Sequence, residues 1–346
     1  MTESRVREVL GDEEAWVVGG AVRDELLGRP VLDLDVACRD PRAAAGRYAQ
    51  RFGGAAFPLS AAHGAWRVAI EGDREAMTVD FTPLPSAIAA DLATRDFTFN
   101  ALARRLGDTD VADPFGGRAD LEAGVVRAVS ETVFRDDPLR LLRAVRLESE
   151  LGFRMDARTE ALARESAALV TGPAGERILA ELVRLSADAY RRLDQLGLLA
   201  PLGGSVGERL DALDDPDFRL VAVFGDRLGR LPISNDLRRY ARALLRARKP
   251  DDDGARAIHR FRRATEPWAL DALAFVDAWS LSGAVEAARA ADPDEPLVRG
   301  DELGLPPGPA IGRILAAIEE ERAAGTITTR AEALALARAL TTEERA

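Results

Sequence analysis

Two aspartates, Asp33 and Asp35, stand two residues apart in VLDLDVAC, where apolar and acidic residues alternate. That period predicts a strand with both carboxylates on one face. Paired hard oxygens of this kind suit one or two divalent cations. Upstream, the apolar strand-like run AWVVGG ends on Gly19 and Gly20, and AVRDELLG continues with helical periodicity to a stop at Gly28. The glycines remove Cβ atoms where a phosphate chain would approach, and the start of the next helix offers N–H groups to an anion. Either half alone reads as an ordinary turn or a solvated strand. Their order, strand, glycine pair, helix, acidic strand, points to metal-assisted chemistry on a phosphate ester. Asp80, in TVDFT, falls on a later strand and is a candidate third catalytic carboxylate; the alternative is a structural aspartate.

Farther along, TRDFTFNALARR sets Arg95 and Asp96 beside an expected helix start. The guanidinium can hold phosphate and the aspartate can accept from a ribose hydroxyl; Asp96 can equally be a helix cap. In FRDDPLRLLRAVRLESELGF, Asp137 is an expected cap with Pro138 in the first turn. Arg140, Arg143 and Arg146 recur every three residues and drift around one face, while Leu139, Leu142 and Val145 fill another. Facing a triphosphate, such a row is a ladder of cations; facing water, it is a charged surface.

The elements that must position these residues divide the chain. In the first part PRAAAGRYAQRFG reads as a helix, and AWRVAIEG and AMTVDFTP as two strands of a hairpin across the EGDREA turn. This mixed region ends near VADPFGGRADLEAG, which is rich in turn residues. From Thr132 onward strand signals nearly vanish, and the segments carry helical periods up to PPGPAIGRILAAIEEERAAG. The fold class is therefore α+β, a small mixed sheet followed by an all-helical half. No repeat of fixed period and no long low-complexity linker interrupts it.

Composition narrows the chemistry. The 346 residues, 47% hydrophobic, suffice for one large core or two to three modest ones. A single cysteine, Cys38, excludes an internal disulfide, and two histidines, His63 and His259, are too few for a zinc or histidine-rich phosphohydrolase centre. The charged N-terminus has no secretory pattern, and no apolar run approaches the roughly 18 residues of a membrane span. No membrane partner and a cytoplasmic location are expected. The net charge of −11 speaks against nucleic acid, yet ten basic residues against three acidic ones lie between Arg238 and Arg263.

Taken in order, these segments resemble the class II tRNA nucleotidyltransferases (CCA-adding enzymes) and bacterial poly(A) polymerases. GGAVRDELLG with DLDVA is similar to their motif A, RDFTFNALA to motif B, DPFGGRADLE to motif C, DDPLRLLRAVR to motif D and GERILAELVRL to motif E. The resemblance implies a nucleotidyltransferase head over 1–130, a helical neck with the base-selecting motif over 131–190, and a tRNA-binding body and tail over 191–346. It implies Mg2+ on Asp33 and Asp35. It places Gly19, Gly20, Arg23, Arg95, Asp96 and Asn100 at the incoming nucleotide. Asp137 and Arg140 would read the base, with Arg143 and Arg146 at the phosphates or the pocket. CTP and ATP are then the expected substrates and the tRNA 3′ end and acceptor minihelix the expected partner.

The chain departs from the pattern at Thr94, where the family carries a further arginine, and at Asp136, where it carries glutamate. The stretch DFTPLPSAIAADLATR between Asp80 and Arg95 is short and resembles members that add only the two cytidines. CCA addition, CC addition alone, poly(A) synthesis and a catalytically silent RNA-binding protein are thus the readings to separate. The acidic net charge disfavours the polymerase, and the intact acidic and arginine set disfavours the silent protein.

Overall fold

The structure, a computed structural model, describes residues 2–31, 33–60, 64–69, 78–84 and 87–343. The chain folds as two compact units, Met1–Leu202 and Gly203–Ala346.

The first unit opens with α1 (Thr2–Leu10), β1 (Ala15–Val18), α2 (Gly20–Leu26), β2 (Asp33–Cys38), α3 (Pro41–Phe52), β3 (Ala55–Ser60), β4 (Ala65–Ala69) and β5 (Thr78–Pro83). There follow α4 (Ile88–Leu92), a 3-10 turn (Thr98–Asn100), β6 (Ala103–Arg105), β7 (Val111–Ala112), α5 (Gly117–Ala123) and β8 (Val125–Val126). Seven strands make one sheet in the order β3-β4-β5-β2-β1-β6-β7. Among the described strands of this sheet only β2 and β5 pair in parallel, and their register sets Asp35 directly beside Asp80. The strands β4 and β5 pair antiparallel as the sequence suggests, while the EGDREA turn between them lies outside the described residues.

Local chemistry explains the elements. Asp40 accepts from Ala43 N (3.0 Å) and Pro41 occupies the first turn, which starts α3. Ala15, Val17 and Val18 of β1 and the apolar residues of β2 are buried, while the polar ones on β2, Asp33 and Asp35, are exposed and half-buried. The helix expected near TRDFTFNALARR is instead the 3-10 turn followed by β6, because Leu102 and Ala103 are fully buried where β6 pairs with β1.

A backbone-to-backbone contact fixes that turn. A Cβ on Gly117 would lie 2.2 Å from the Thr98 carbonyl oxygen, so only glycine lets α5 seat there. Asp113 caps α5 by accepting from Gly117 N (2.7 Å) and Arg118 N (3.0 Å), and Asp120 accepts from Thr98 Oγ1 (2.6 Å).

The rest of the first unit is helical: α6 (Val133–Asp136), α7 (Arg140–Leu151), α8 (Ala157–Glu165), α9 (Gly175–Leu182), α10 (Ala187–Gln195) and α11 (Leu199–Leu202). One short strand, β9 (Arg154–Met155), pairs parallel with β8 and is a strand the periodicity from Thr132 onward did not reveal. Helix α7 buries Leu141, Leu142, Ala144 and Val145 and stops at Gly152, whose φ of 72° favours glycine.

The second unit comprises α12 (Pro216–Phe224), α13 (Asn235–Arg246), α14 (Ala255–Thr265), α15 (Ala269–Phe275), α16 (Ser282–Ala290), α17 (Pro309–Ala323) and α18 (Arg330–Glu343). Helix α13 shows its logic plainly. Leu237, Tyr240, Ala241 and Leu244 recur at helical spacing and are buried, and Ser234 caps the start. A terminal core of Val298, Ile314, Ile318, Ile327, Ala333 and Ala337 holds α17 and α18 together. Among the described residues no helix is long and apolar enough to cross a membrane.

Candidate active site

A cleft of about 690 Å3 opens in the first unit where α2, β2, β5, α4, the 3-10 turn, α7 and α9 converge. Its wall includes Gly19, Gly20, Arg23, Asp35, Arg95 and Asp96, and continues through Asn100, Asp137, Arg140 and Arg143. Residues far apart in sequence thus meet in one cavity.

At its floor, Gly19 has φ 72° and donates its N–H to the Leu102 carbonyl (3.0 Å). The turn brings Arg95 close: a Cβ on Gly19 would lie 3.1 Å from Arg95 Nη1 and 3.7 Å from Asp35 Oδ2. Asp35 points into this region, and burial raises its pKa to about 6, with the charges of Asp80 and Asp33 adding to the rise against the attraction of Arg95. Among the described residues no hydrogen-bond donor or ion-pair partner meets its carboxylate. Asp33 lies at the exposed start of β2 and accepts from Thr78 Oγ1.

An enclosed, unpartnered carboxylate with a second hard oxygen donor two residues away fits a divalent cation. Asp80 does not complete a cluster. Its two oxygens each accept from Arg67, from Nε and Nη2 at 2.7 Å, and no group of three or more His, Cys, Asp or Glu able to hold a metal occurs among the described residues. Two carboxylates without a full protein cage are what Mg2+ uses when phosphate and water oxygens supply the remaining ligands.

A polar chain crosses the cleft behind the glycine turn. Arg23 Nη1 donates to Asn100 Oδ1 (2.9 Å) while Nε and Nη2 donate to Asp24 (2.9 and 2.7 Å). Asn100 Nδ2 donates to Asp96 Oδ1 (2.9 Å), which also accepts from Phe97 N (2.8 Å). Asp96 Oδ2 accepts from Arg143 Nε and Nη2 (2.9 and 2.7 Å). Burial works to raise the Asp96 pKa, but the Arg143 charge and these hydrogen bonds outweigh it and hold the group below the usual carboxylate range. With these donors aimed at it from the protein, Asp96 holds Arg143 in place.

On the opposite wall Asp137 Oδ1 accepts from Leu139 N (3.2 Å) and Oδ2 from Arg177 Nη2 (2.8 Å). Arg140 Nη2 donates to the Thr94 carbonyl (2.6 Å), which ties α7 to the segment before motif B. Arg146 leaves the row. The three-residue spacing carries it around the helix into the core, 6% exposed, where Nε donates to Glu181 (2.6 Å) and Nη1 to Glu150 (2.6 Å). It does not line the cleft.

Two charged lining residues escaped the sequence reading. Arg177 sits in the first turn of α9, inside the GERILAELVRL segment, and no spacing relates it to Asp137 forty positions earlier. Asp91 ends in an ion pair with Arg95, and there the signal existed, because the two are four apart.

Comparison with known proteins agrees with this geometry. The family described as the poly(A) polymerase head domain matches residues 15–83 and 61–127. A CC-adding tRNA nucleotidyltransferase of Geobacter sulfurreducens is 48% identical over a match covering 49% of this chain and 40% of that protein. An A-adding tRNA nucleotidyltransferase of Deinococcus radiodurans is 34% identical, covering 93% of this chain and 94% of that one. A solved Bacillus stearothermophilus CCA-adding enzyme in complex with CTP superimposes with a TM-score of 0.76 at 26% identity, over 99% of this chain and 98% of that one.

Proposed function

Because the chain belongs to the tRNA nucleotidyltransferase family, we propose that its cleft transfers nucleotides from CTP and ATP to the 3′ end of tRNA, without a nucleic-acid template. The carrying observation is the convergence in one cavity of the free carboxylate Asp35, the glycine turn, Arg95 and the Asp137/Arg140 pair.

In this reaction the tRNA 3′-oxygen bonds to the α-phosphorus, the bond to pyrophosphate breaks, and the hydroxyl proton passes to solvent. Nucleotidyltransferases generally use a divalent metal; here Asp33 and Asp35 would hold Mg2+, which would supply Lewis-acid stabilisation of the phosphate charge. The protein's part is to bind and orient. Gly19 and Gly20 let the triphosphate approach the backbone, and Arg95 and Arg143 face its oxygens as fixed donors. Asp137 accepts from the exocyclic amine of cytosine or adenine, and Arg140 donates to ring acceptors. Uracil and guanine present a carbonyl to the carboxylate and are rejected by an unpaired buried acceptor. The cytoplasm, where tRNA matures in bacteria, is the matching location.

The acceptor would rest on the second unit. Of the ten basic residues between Arg238 and Arg263, those on α14 are largely spent: Arg256 pairs with Glu321, Arg260 with Glu320, and Arg262 with Glu266 and Asp292. Helix α13 differs. Arg238, Arg242 and Arg246 recur every four residues and are all exposed, on the side opposite its buried stripe. Such a stripe matches a phosphate backbone and suits recognition by shape.

A narrower reading, addition of CC alone, is favoured by the short connection between β5 and Arg95, part of which is the packed helix α4. One assay separates the outcomes. Purified protein, Mg2+ and tRNA lacking one, two or three terminal nucleotides are given CTP and ATP singly and together. CCA on the shortest tRNA supports the full activity, two cytidines alone the narrower one, and adenosine only on tRNA ending in CC an A-adding enzyme. Long adenosine tails on unrelated RNA, or no incorporation at all, overturn the proposal.

A further inference from the structure

Asp91 lies four residues before Arg95, on the short helix α4. Its Oδ2 accepts from both Nε (3.0 Å) and Nη2 (2.7 Å) of Arg95, and the side chains are only 14% and 23% exposed. Held in this way, Arg95 turns its remaining nitrogen, Nη1, toward the glycine turn. That nitrogen and Asp35 Oδ2 border the same small volume above Gly19.

The arrangement is poised against an obvious competitor. A permanent cation stands beside a carboxylate that has no partner among the described residues, inside a cleft where attraction is less screened than in water. Of the charges around Asp35, that of Arg95 acts on it most strongly. If the guanidinium closed onto Asp35, the ion pair would occupy the oxygens a metal needs. It would also remove Arg95 from the phosphates. What resists closure is Asp91, and Asp91 is itself fixed. The next residue, Leu92, is fully buried in a cluster with Val18, Ala37, Ala101 and Ala103, which ties α4 to the sheet.

We propose that Asp91 is a positioning residue that holds Arg95 off Asp35, leaving the carboxylate open to a divalent cation and the guanidinium open to phosphate. The inference rests on Asp35 as a metal ligand, as proposed above. It adds a residue outside the quoted motifs, placed by the connection between β5 and the 3-10 turn.

The test measures Mn2+ binding directly, by electron paramagnetic resonance of the free ion, with neither nucleotide nor tRNA present. Three proteins are compared: wild type, Asp91→Asn, and Asp91→Asn with Arg95→Gln. The single variant is expected to bind Mn2+ about tenfold more weakly, the scale of one partly buried ion pair. The double variant is expected to regain wild-type affinity, because glutamine cannot neutralise Asp35; that recovery also shows that the Asp91 change leaves the fold intact. Unchanged affinity in the single variant, or a double variant as weak as the single, overturns the proposal. A wild-type protein that binds no Mn2+ overturns the metal reading itself and the positioning role with it, and is recognised without any variant.

Discussion

Asp35 and Asp80 stand in register on the two parallel strands of the sheet, yet Arg67 closes both oxygens of Asp80 and, among the described residues, no such partner meets Asp35. Two chemically identical groups are thereby given opposite tasks. One is neutralised into the structure, and the other is kept as an acid in an enclosed place.

Keeping Asp35 this way costs stability. Burial lifts its folded-state pKa from 3.8 to about 6, so the folded protein holds the proton more tightly than the unfolded chain does. The stability linked to Asp35 is present below about pH 4 and is lost as pH rises through about 6. Asp35→Asn should therefore raise the Tm of metal-free protein near neutral pH, by a gain of about 3 kcal/mol, and the gain should fade below about pH 4. The same change should cut nucleotide incorporation by on the order of 10^3, with tRNA binding unaltered. Calorimetry across pH reads the first effect and single-turnover assays the second; an equal Tm near neutral pH would contradict the burial argument.

Arg67→Met leaves Asp80 buried at 7% exposure without its cation. Urea unfolding should show a loss of about 2 kcal/mol, below that of a fully buried pair because Arg67 is itself partly exposed. Adding Asp80→Leu should recover most of the loss. A double variant no more stable than the single one would show that Asp80 has a role besides pairing with Arg67.

Base choice should depend on how the Asp137 carboxylate is held. Asp137→Asn replaces an acceptor-only group by an amide that also donates, so the uracil carbonyl finds a partner. The preference for CTP over UTP, measured as a ratio of kcat/KM, should fall by about 100-fold. Arg177→Ala, which frees the same carboxylate, should lower it by about tenfold. Preserved discrimination in both variants would remove Asp137 from base reading.

On the second unit, replacing Arg238, Arg242 and Arg246 by glutamate should weaken tRNA binding and reduce the slope of log affinity against log salt by about 2. The KM for CTP should not move. Undiminished affinity for tRNA would make the stripe a solvated face.

Much of this site could be read before any coordinates. The alternation around Asp33 and Asp35 is a property of neighbours two residues apart, and a strand face follows from it directly. The expected cap at Asp137 shifts by two residues: Asp137 accepts from Leu139 N, and α7 begins only at Arg140. What could not be read depends on partners far away in sequence. That Asp80 meets Arg67 follows from β4 pairing beside β5, and Asp96 reaches Arg143 only once α7 docks across 47 positions. Arg146 went astray for a subtler reason. A three-residue spacing rotates about 60° short of a full turn, and two such steps move a side chain from the cleft into the core.

The seat of α5 against the Thr98 carbonyl touches no substrate, yet the 3-10 turn it supports carries Asn100 and so the chain of contacts to Arg143. Gly117 admits no other residue without displacing that turn. Such a position behaves genetically as a hinge pin. Gly117→Ala is the place to seek a heat-sensitive allele, one that supports growth at low temperature and fails when warmed, with every residue of the catalytic cleft still wild type.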